Sequence, residues 1–165
     1  MTYSIAALNA LDQAAFVEAL GFVFEETPAI AQQTYQQRPF RDRSDLYQKM
    51  VAHVNAMTEA DQLALIRAHP DLGSKAKMAD ASIQEQTGAG LNQLTPAEYE
   101  QFQSLNQAYK TKFEFPFIVA VKDYTKTTIL EAFQQRLQHD RDVELQQALA
   151  QICRIAWFRL LDRVH

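Results

Sequence analysis

A histidine, a short acidic segment and an arginine are the residues of this sequence best suited to chemistry. His69 precedes Pro70, and proline disfavours α-helical geometry in the residue before it, so a helix is expected to end there. The imidazole would then lie at a helix C-terminus, where the helix dipole favours its protonated form. Histidine moves protons near neutral pH, so His69 is a candidate general acid or base. The alternative is a histidine that only caps the helix.

Arg159 is predicted to lie on the buried face of the last helix. It follows Leu145, Ala148, Ile152 and Ile155 at steps of three and four residues, which place these side chains on one helical stripe. A buried guanidinium requires an anionic partner, because an unpaired buried charge is very unfavourable. The partner is either a carboxylate of the protein or an anionic ligand, and the sequence leaves both open.

Glu85 follows Ser82 in the order Ser-x-x-Glu, which is typical of a helix capping box. Capping alone explains this glutamate without any catalytic role. The predicted helix is short, however, because the run Thr87-Gly88-Ala89-Gly90 comes directly after it. The alternative is therefore a segment that presents Glu85 and Gln86 to a ligand.

The elements that position these residues are predicted to be α-helices. The 165 residues include only 4 glycines and 5 prolines, too few for a turn-rich β fold, whereas helix-forming Gln, Ala and Leu are abundant. Residues 115–121 form one strand-like stretch, and residues 73–81 and 87–94 are predicted loops. Helix starts are predicted at Asp12, Thr27-Pro28, Ser44, Thr58, Ser82 and Thr95, with further helices at 127–138 and 142–163. We therefore predict an all-α protein of about eight helices in a single compact domain spanning residues 1–165.

Composition excludes several classes of function. The formal net charge of −4 argues against nucleic-acid binding, and none of the apolar runs is long enough to span a membrane. The single cysteine, Cys153, excludes a disulfide framework and a cysteine-based zinc site, and it is predicted to be a small core residue. The histidine spacings suggest no metal cluster, so no metal is expected. No secretory signal is recognisable at the N-terminus, which makes a cytoplasmic location the expectation.

The C-terminal end of the last helix is apolar almost all round. Trp157, Phe158, Leu160 and Leu161 follow one another within five positions. Such a surface is either buried within the monomer or contacts a second chain, so a homodimer is one expectation for this protein.

The loop His69-Pro70-Asp71 resembles the J-domain of co-chaperones, which would make the protein a helical binding module without catalysis. J-domains carry a basic helix before this loop, whereas residues 58–68 contain Glu59, Asp61 and Arg67 as their charged residues. In this alternative, Arg159 and Glu85 pair with each other and bind no substrate.

A second resemblance covers nearly the whole chain, from residue 8 to residue 164. The chain resembles the 2-oxo-4-hydroxy-4-carboxy-5-ureidoimidazoline (OHCU) decarboxylases of urate breakdown, and the matching blocks stand in the order of that family. Those blocks are Phe24-Glu25-Glu26-Thr27-Pro28, Arg38-Pro39-Phe40, Arg67-Ala68-His69-Pro70-Asp71-Leu72, Ser82-Ile83-Gln84-Glu85-Gln86, Ala89-Gly90-Leu91, Leu105-Asn106 with Tyr109, Phe115-Pro116-Phe117-Ile118, and Arg159-Leu160.

This resemblance implies an all-helical lyase that converts the small molecule OHCU to (S)-allantoin and carbon dioxide without a cofactor. His69 corresponds to the family's catalytic histidine, and Glu85 and Arg159 are the other two implied catalytic residues. Glu114 departs from the family, which often has glycine there. The implied substrate-binding residues are Pro70, Ser82, Ile83, Gln84, Glu85, Gln86, Phe117, Ile118, Val119, Ala120, Val121 and Arg159, with residues 117–121 acting through backbone groups.

Overall fold

The computed structural model describes residues 1–74 and 78–165, and helices account for 67% of the structure with no strand in the described part. The all-α prediction of about eight helices is confirmed. None of the described helices is both long and apolar enough to cross a membrane. The described helices are α1 (Ile5–Ala10), α2 (Gln13–Leu20), α3 (Ala29–Tyr35), α4 (Arg43–Ala56), α5 (Glu59–Arg67), α6 (Asp80–Gly88), α7 (Pro96–Phe113), α8 (Lys126–Arg136) and α9 (Arg141–Arg163), with one 3₁₀ helix at Val121–Asp123.

Side-chain caps begin several of the helices where the sequence predicts them. Asp12 accepts a 2.8 Å hydrogen bond from the backbone N–H of Ala15 at the start of α2. Thr95 accepts one of 3.2 Å from the N–H of Glu98 at the start of α7. Thr58 likewise accepts a bond from the third residue of α5. Each cap satisfies an N–H that has no partner within its own helix.

Two predicted helix starts in the first half of the chain are wrong. Thr27 does not cap α3: its hydroxyl donates to the Glu25 carbonyl at 2.7 Å, and Pro28 precedes the helix without a side-chain cap. In α4, Asp42 is the capping residue in place of Ser44, because the Asp42 carboxylate already accepts from the helix N-terminus.

The strand-like stretch at residues 115–121 forms no strand. It is a buried segment without regular secondary structure that leads into the 3₁₀ helix, and its apolar side chains pack against helices. The ring of Phe117 stacks on Phe133 with 3.7 Å between the ring centroids. A continuous apolar run reports burial, and burial between helices produces the same pattern as burial in a sheet.

The described residues group into two compact units. The first consists of Met1–Leu65 with Cys153–His165, and the second is Ile66–Ile152. The prediction of a single domain stays a prediction. Aliphatic and aromatic side chains share the core of the first unit, which includes Leu8, Phe16, Leu20, Ile30, Leu46 and Met50. Aromatic rings dominate the core of the second, where Phe102, Tyr109, Phe113, Phe115, Phe117 and Phe133 contact one another.

The apolar end of α9 is only partly exposed within the first unit. Leu160 is buried, Trp157 and Phe158 are half-buried, and Leu161 is 38% exposed. The ring of Tyr47 packs on Trp157 edge to face, with 5.0 Å between the centroids. Burial within the monomer therefore accounts for much of this apolar surface, and the homodimer stays a prediction.

Candidate active site

His69 lies two residues beyond the end of α5, as the following proline predicts. Its backbone N–H donates to the Ile66 carbonyl at 3.2 Å, which closes the last turn of the helix. The side chain is largely buried, with 8% of the residue exposed. Pro70 follows and leads into a turn at residues 71–73. An imidazole held at the end of a helix in this way has few conformations to choose from, which suits proton transfer at a fixed point.

A cleft of about 500 Å³ opens beside His69 in the second unit. Charged side chains form much of its wall, and two interactions bridge it. Lys110 forms a 2.7 Å ion pair with Asp71, and the Arg67 Nε donates to the Glu114 carbonyl at 3.1 Å. The lining residues are Arg67, His69, Asp71, Lys110, Glu114, Phe115 and Pro116.

The turn that follows His69 is held by Gln86. The Gln86 Oε1 accepts from the backbone N–H of Gly73 at 3.0 Å, and its Nε2 donates to the Asp71 carbonyl at 3.4 Å. Gln86 is 7% exposed, and its bond with the Gly73 N–H is buried. This predicted substrate-binding residue therefore already orders the loop beside the histidine. Any contact of its remaining N–H with substrate stays a prediction.

The capping box predicted from Ser82 and Glu85 is wrong. Helix α6 begins at Asp80, and Ala79 takes the extended conformation of an N-cap without a side-chain hydrogen bond. Ser82 is thus the third residue inside the helix. Asp80 in the first turn complements the positive end of the helix dipole, which makes a capping side chain less necessary. Lys75, Ala76 and Lys77 of the predicted loop at 73–81 lie outside the described residues.

Helix α6 turns two different faces to its surroundings. Ser82 and Gln86, one helical turn apart, are buried, and Glu85 is half-buried. Ile83 and Gln84 lie on the exposed side, with Ile83 46% exposed. The helix also continues to Gly88, further than its predicted end, because Thr87 and Gly88 keep helical hydrogen bonding. Substrate contacts of Ser82, Ile83, Gln84 and Glu85 stay predictions.

The second predicted binding segment, residues 117–121, lies in the same unit. Helix α6 packs against the 3₁₀ helix Val121–Asp123 in which this segment ends. Two of its backbone groups are bonded by side chains: the Ile118 carbonyl accepts from the Arg136 Nη1 at 2.6 Å, and the Ala120 N–H donates to the Gln151 Oε1 at 2.9 Å. These two bonds hold a backbone that pairs with no strand in the described part of the chain.

A buried charge network supports that segment from α8 and α9. Arg136 and Glu144 form a 2.7 Å ion pair, and both are at least 95% buried. The Tyr109 hydroxyl donates to the same carboxylate at 2.8 Å, and burial raises the pKa of Tyr109, so the hydroxyl stays protonated and can donate. Removing any one partner would leave a buried polar group unsatisfied, so the network is expected to be rigid.

Arg159 is buried in the first unit, where it has a protein carboxylate as its partner. Its Nη2 lies 2.8 Å from the Glu25 Oε2, and its Nη1 donates to the Phe22 carbonyl at 3.0 Å. Arg159 is 3% exposed and Glu25 is 2% exposed. Of the two partners that the sequence left open, the structure provides the carboxylate. Binding of an anionic ligand by Arg159 stays a prediction.

Most of the predicted site residues belong to the second unit, and of these His69 is the one that lines the cleft. His69, the buried face of α6 and the 117–121 segment all belong to this unit, whereas Arg159 belongs to the first unit. Cys153 is a buried free cysteine, and burial raises the pKa of its thiol to about 11, so it is not a thiolate nucleophile near neutral pH. Within the described ranges, no three acidic, histidine or cysteine side chains come together as a metal-binding group.

Comparison with known protein families decides what these residues belong to. A family model described as OHCU decarboxylase matches residues 9–161, which include His69, α6, the 117–121 segment and Arg159. The chain belongs to the OHCU decarboxylase family. It is 46% identical over 153 residues to an OHCU decarboxylase of Halalkalicoccus jeotgali, covering 93% of this chain and 87% of that one. The J-domain-like alternative is not favoured.

Other members of the OHCU decarboxylase family and solved structures agree with this assignment. The uric acid degradation bifunctional protein PucL of Bacillus subtilis is 46% identical over 155 residues, which are 94% of this chain and 31% of that protein. A crystal structure of (S)-allantoin synthase superposes with a TM-score of 0.80 at 32% identity, covering 98% of this chain and 54% of that one. A crystal structure of OHCU decarboxylase in the presence of (S)-allantoin is 23% identical and shares the fold, with a TM-score of 0.69. The superposition covers 81% of this chain and 89% of that one.

The sequence patterns assigned no role to three residues that contact Arg159 or the turn after His69. Glu25 stands 134 positions from Arg159, and Lys110 and Asn106 contact the turn after His69 from α7. Glu25 and Asn106 lie within the blocks that match the family, and Lys110 lies one helical turn from Asn106 on α7. These placements were the available indications of a role. Glu114, where the family often has glycine, ends α7 with a φ of +64°, in the left-handed region that favours glycine.

Proposed function

We propose that this chain is a decarboxylase that needs no cofactor and converts OHCU to (S)-allantoin and carbon dioxide in urate degradation. The observation that carries the proposal is a largely buried histidine, anchored at a helix end beside an open cleft, within a chain that belongs to the OHCU decarboxylase family. The names of the relatives support the same reaction and the same pathway.

The proposed reaction requires charge stabilisation and proton transfer. OHCU carries a carboxylate on a carbon that also bears a hydroxyl group and neighbours a ring C=N bond. When the bond to the carboxylate breaks, its electron pair forms a double bond to the neighbouring carbon, and the C=N pair moves to nitrogen, which takes a proton. The hydroxyl then loses its proton and becomes a carbonyl, while the neighbouring carbon gains a proton. One proton is taken up from solvent overall, and the C=N bond is the electron sink.

His69 is the proposed general acid or base of this sequence. It either accepts the hydroxyl proton or delivers the proton to carbon, and both roles use a single imidazole at a fixed position. Ser82, Glu85 and Gln86 would hold the ureido and ring N–H groups. Arg159 would bind an anionic or carbonyl oxygen of the substrate, in addition to its bond with Glu25.

The backbone of residues 117–121 would complete the substrate site. Its anchoring by Arg136 and Gln151 holds the peptide groups of the segment in place before substrate arrives. Preorganised peptide groups stabilise developing charge without the reorganisation that water would require.

Two finer statements belong to the same proposal. The protein is proposed to be cytoplasmic, which the single, buried free cysteine supports, because free cysteines are usual in a reducing compartment. The protein is also proposed to form a homodimer, which the partly exposed apolar residues at the end of α9 support. Sedimentation of the purified protein over a range of concentrations tests the second statement, and a monomer at every concentration would contradict it.

Turnover of freshly generated OHCU tests the proposed function. We expect the protein to release carbon dioxide and consume OHCU faster than the buffer blank. The blank is needed because the substrate also decays by itself. Addition of a chelator such as EDTA is expected to leave the enzymatic rate unchanged. A rate equal to the blank would contradict the proposed activity, and a rate abolished by the chelator would contradict catalysis without a metal.

A further inference from the structure

Two side chains on one face of α7 reach the turn that follows His69. Asn106 and Lys110 are one helical turn apart, so they project in the same direction. The Asn106 Nδ2 donates to the Leu72 carbonyl at 2.9 Å, and Lys110 pairs with the Asp71 carboxylate. Helix α7 therefore holds the same turn that Gln86 holds from α6.

Asn106 is buried in a way that stability alone does not explain. The residue is 1% exposed, and its Oδ1 is a buried acceptor without a hydrogen-bond partner in the described structure. A buried carbonyl group without a hydrogen bond is unfavourable. At this position, an amide is therefore less stabilising than an apolar side chain would be. Its one hydrogen bond, to the Leu72 carbonyl, is the only described interaction that makes use of the amide.

The backbone between Leu72 and His69 has little conformational freedom, so the hydrogen bond at Leu72 is expected to affect the position of His69. Gly73, which follows Leu72, takes a φ of +68°, a left-handed conformation that glycine adopts without strain. Between Leu72 and His69 stand Asp71, whose side chain and carbonyl are both bonded, and Pro70, whose ring fixes φ. A shift of the Leu72 carbonyl is therefore expected to displace the imidazole, because both residues between them are restrained.

We propose that Asn106 is a positioning residue for His69, which it orients through the Leu72 carbonyl and the rigid turn. This inference rests on the proposed function, in which His69 transfers the protons. Displacement of a catalytic group by about 1 Å can cost a factor of about 100 in rate even when the altered residue lies away from the chemistry.

Replacement of Asn106 by leucine tests the inference. Asn106→Leu keeps the size of the side chain and removes the donor, so we expect kcat on OHCU to fall about 10- to 100-fold with KM almost unchanged. The ring signals of His69 in two-dimensional NMR spectra are expected to move, and the variant His69→Gln assigns them. Gln107→Leu is the matched control, because this neighbouring residue of α7 is exposed and its side chain contacts only Thr111 among the described bonds.

The two readouts separate positioning from general stabilisation. Assays well below the melting temperature ensure that each variant is folded, and Asn106→Ser provides a second variant with a side chain too short to reach the Leu72 carbonyl. If Asn106 had only a structural role, its replacement would lower the melting temperature, and kcat and the His69 ring signals would stay like those of Gln107→Leu. That result would overturn the inference. If the wild-type protein were inactive on OHCU while the ring signals still moved, the proposed function would fail and the positioning role would stand.

Discussion

His69→Asn is expected to remain folded and to lose about 100- to 10,000-fold in kcat on OHCU, the usual contribution of general acid–base catalysis. The histidine ends α5 through its backbone N–H, and that bond to the Ile66 carbonyl does not depend on the side chain. Asparagine is polar, of similar reach, and common at helix C-termini. It cannot exchange a proton near neutral pH, so the rate of the chemical step should fall, whereas substrate binding should change much less.

His165→Asn provides the matched control for this substitution. His165 is an exposed residue at the end of the chain, and the same change there is expected to leave both turnover and melting temperature as in the wild type. Steady-state kinetics on OHCU, corrected for spontaneous decay, and far-ultraviolet circular dichroism make the comparison. Near wild-type turnover of His69→Asn would show that another group transfers the protons.

Arg159→Ala is expected to lower the free energy of unfolding by about 3–5 kcal/mol, because it leaves the Glu25 carboxylate buried without its cation. Glu25 is 2% exposed, so water can do little to compensate. Equilibrium unfolding in urea measures the loss. Arg154→Ala is the control on the same helix: that residue is exposed, and its removal should change the unfolding free energy by only about 0.5 kcal/mol.

A double variant distinguishes the structural role of Arg159 from its proposed role in substrate binding. Glu25→Leu combined with Arg159→Met removes both charges and is expected to recover most of the stability lost in Arg159→Ala. If Arg159 also binds substrate, KM for OHCU should stay raised in this stable variant. A wild-type KM would restrict Arg159 to the ion pair, and an unchanged unfolding free energy in Arg159→Ala would contradict the ion pair itself.

Local sequence features predicted the helices wherever the deciding interactions are local. Asp12, Thr58 and Thr95 cap helices through residues three positions further on, so the chain near each cap contains the whole cause. The predicted start of α6 was wrong because Ala79, its N-cap, has no side chain that can accept a hydrogen bond. The residue type therefore gives no indication of the cap. Residues 115–121 were strand-like because their burial between helices gives the same apolar run as a strand.

The candidate site could be predicted only in part for the same reason. His69 was identified from the proline beside it, and the burial of Arg159 from helical periodicity. The partner of Arg159 could not be deduced, because Glu25 lies 134 positions away and only the folded chain brings the two together. Asn106 and Gln86 posed a similar problem, since their hydrogen bonds reach 34 and 13 positions along the chain to the turn after His69.

The stereochemistry of the product tests the central claim most directly. Spontaneous decay of OHCU in water has no chiral director and gives racemic allantoin, whereas a site that fixes the ring exposes one face to the proton donor. A facial preference of about 3 kcal/mol already gives more than about 100-fold selectivity, so circular dichroism should report strongly dichroic (S)-allantoin, with chelator present and no added nucleotide. Glu85→Ala should react more slowly and give product that is closer to racemic. Racemic allantoin formed by the wild-type protein at the rate of the buffer blank would contradict the account.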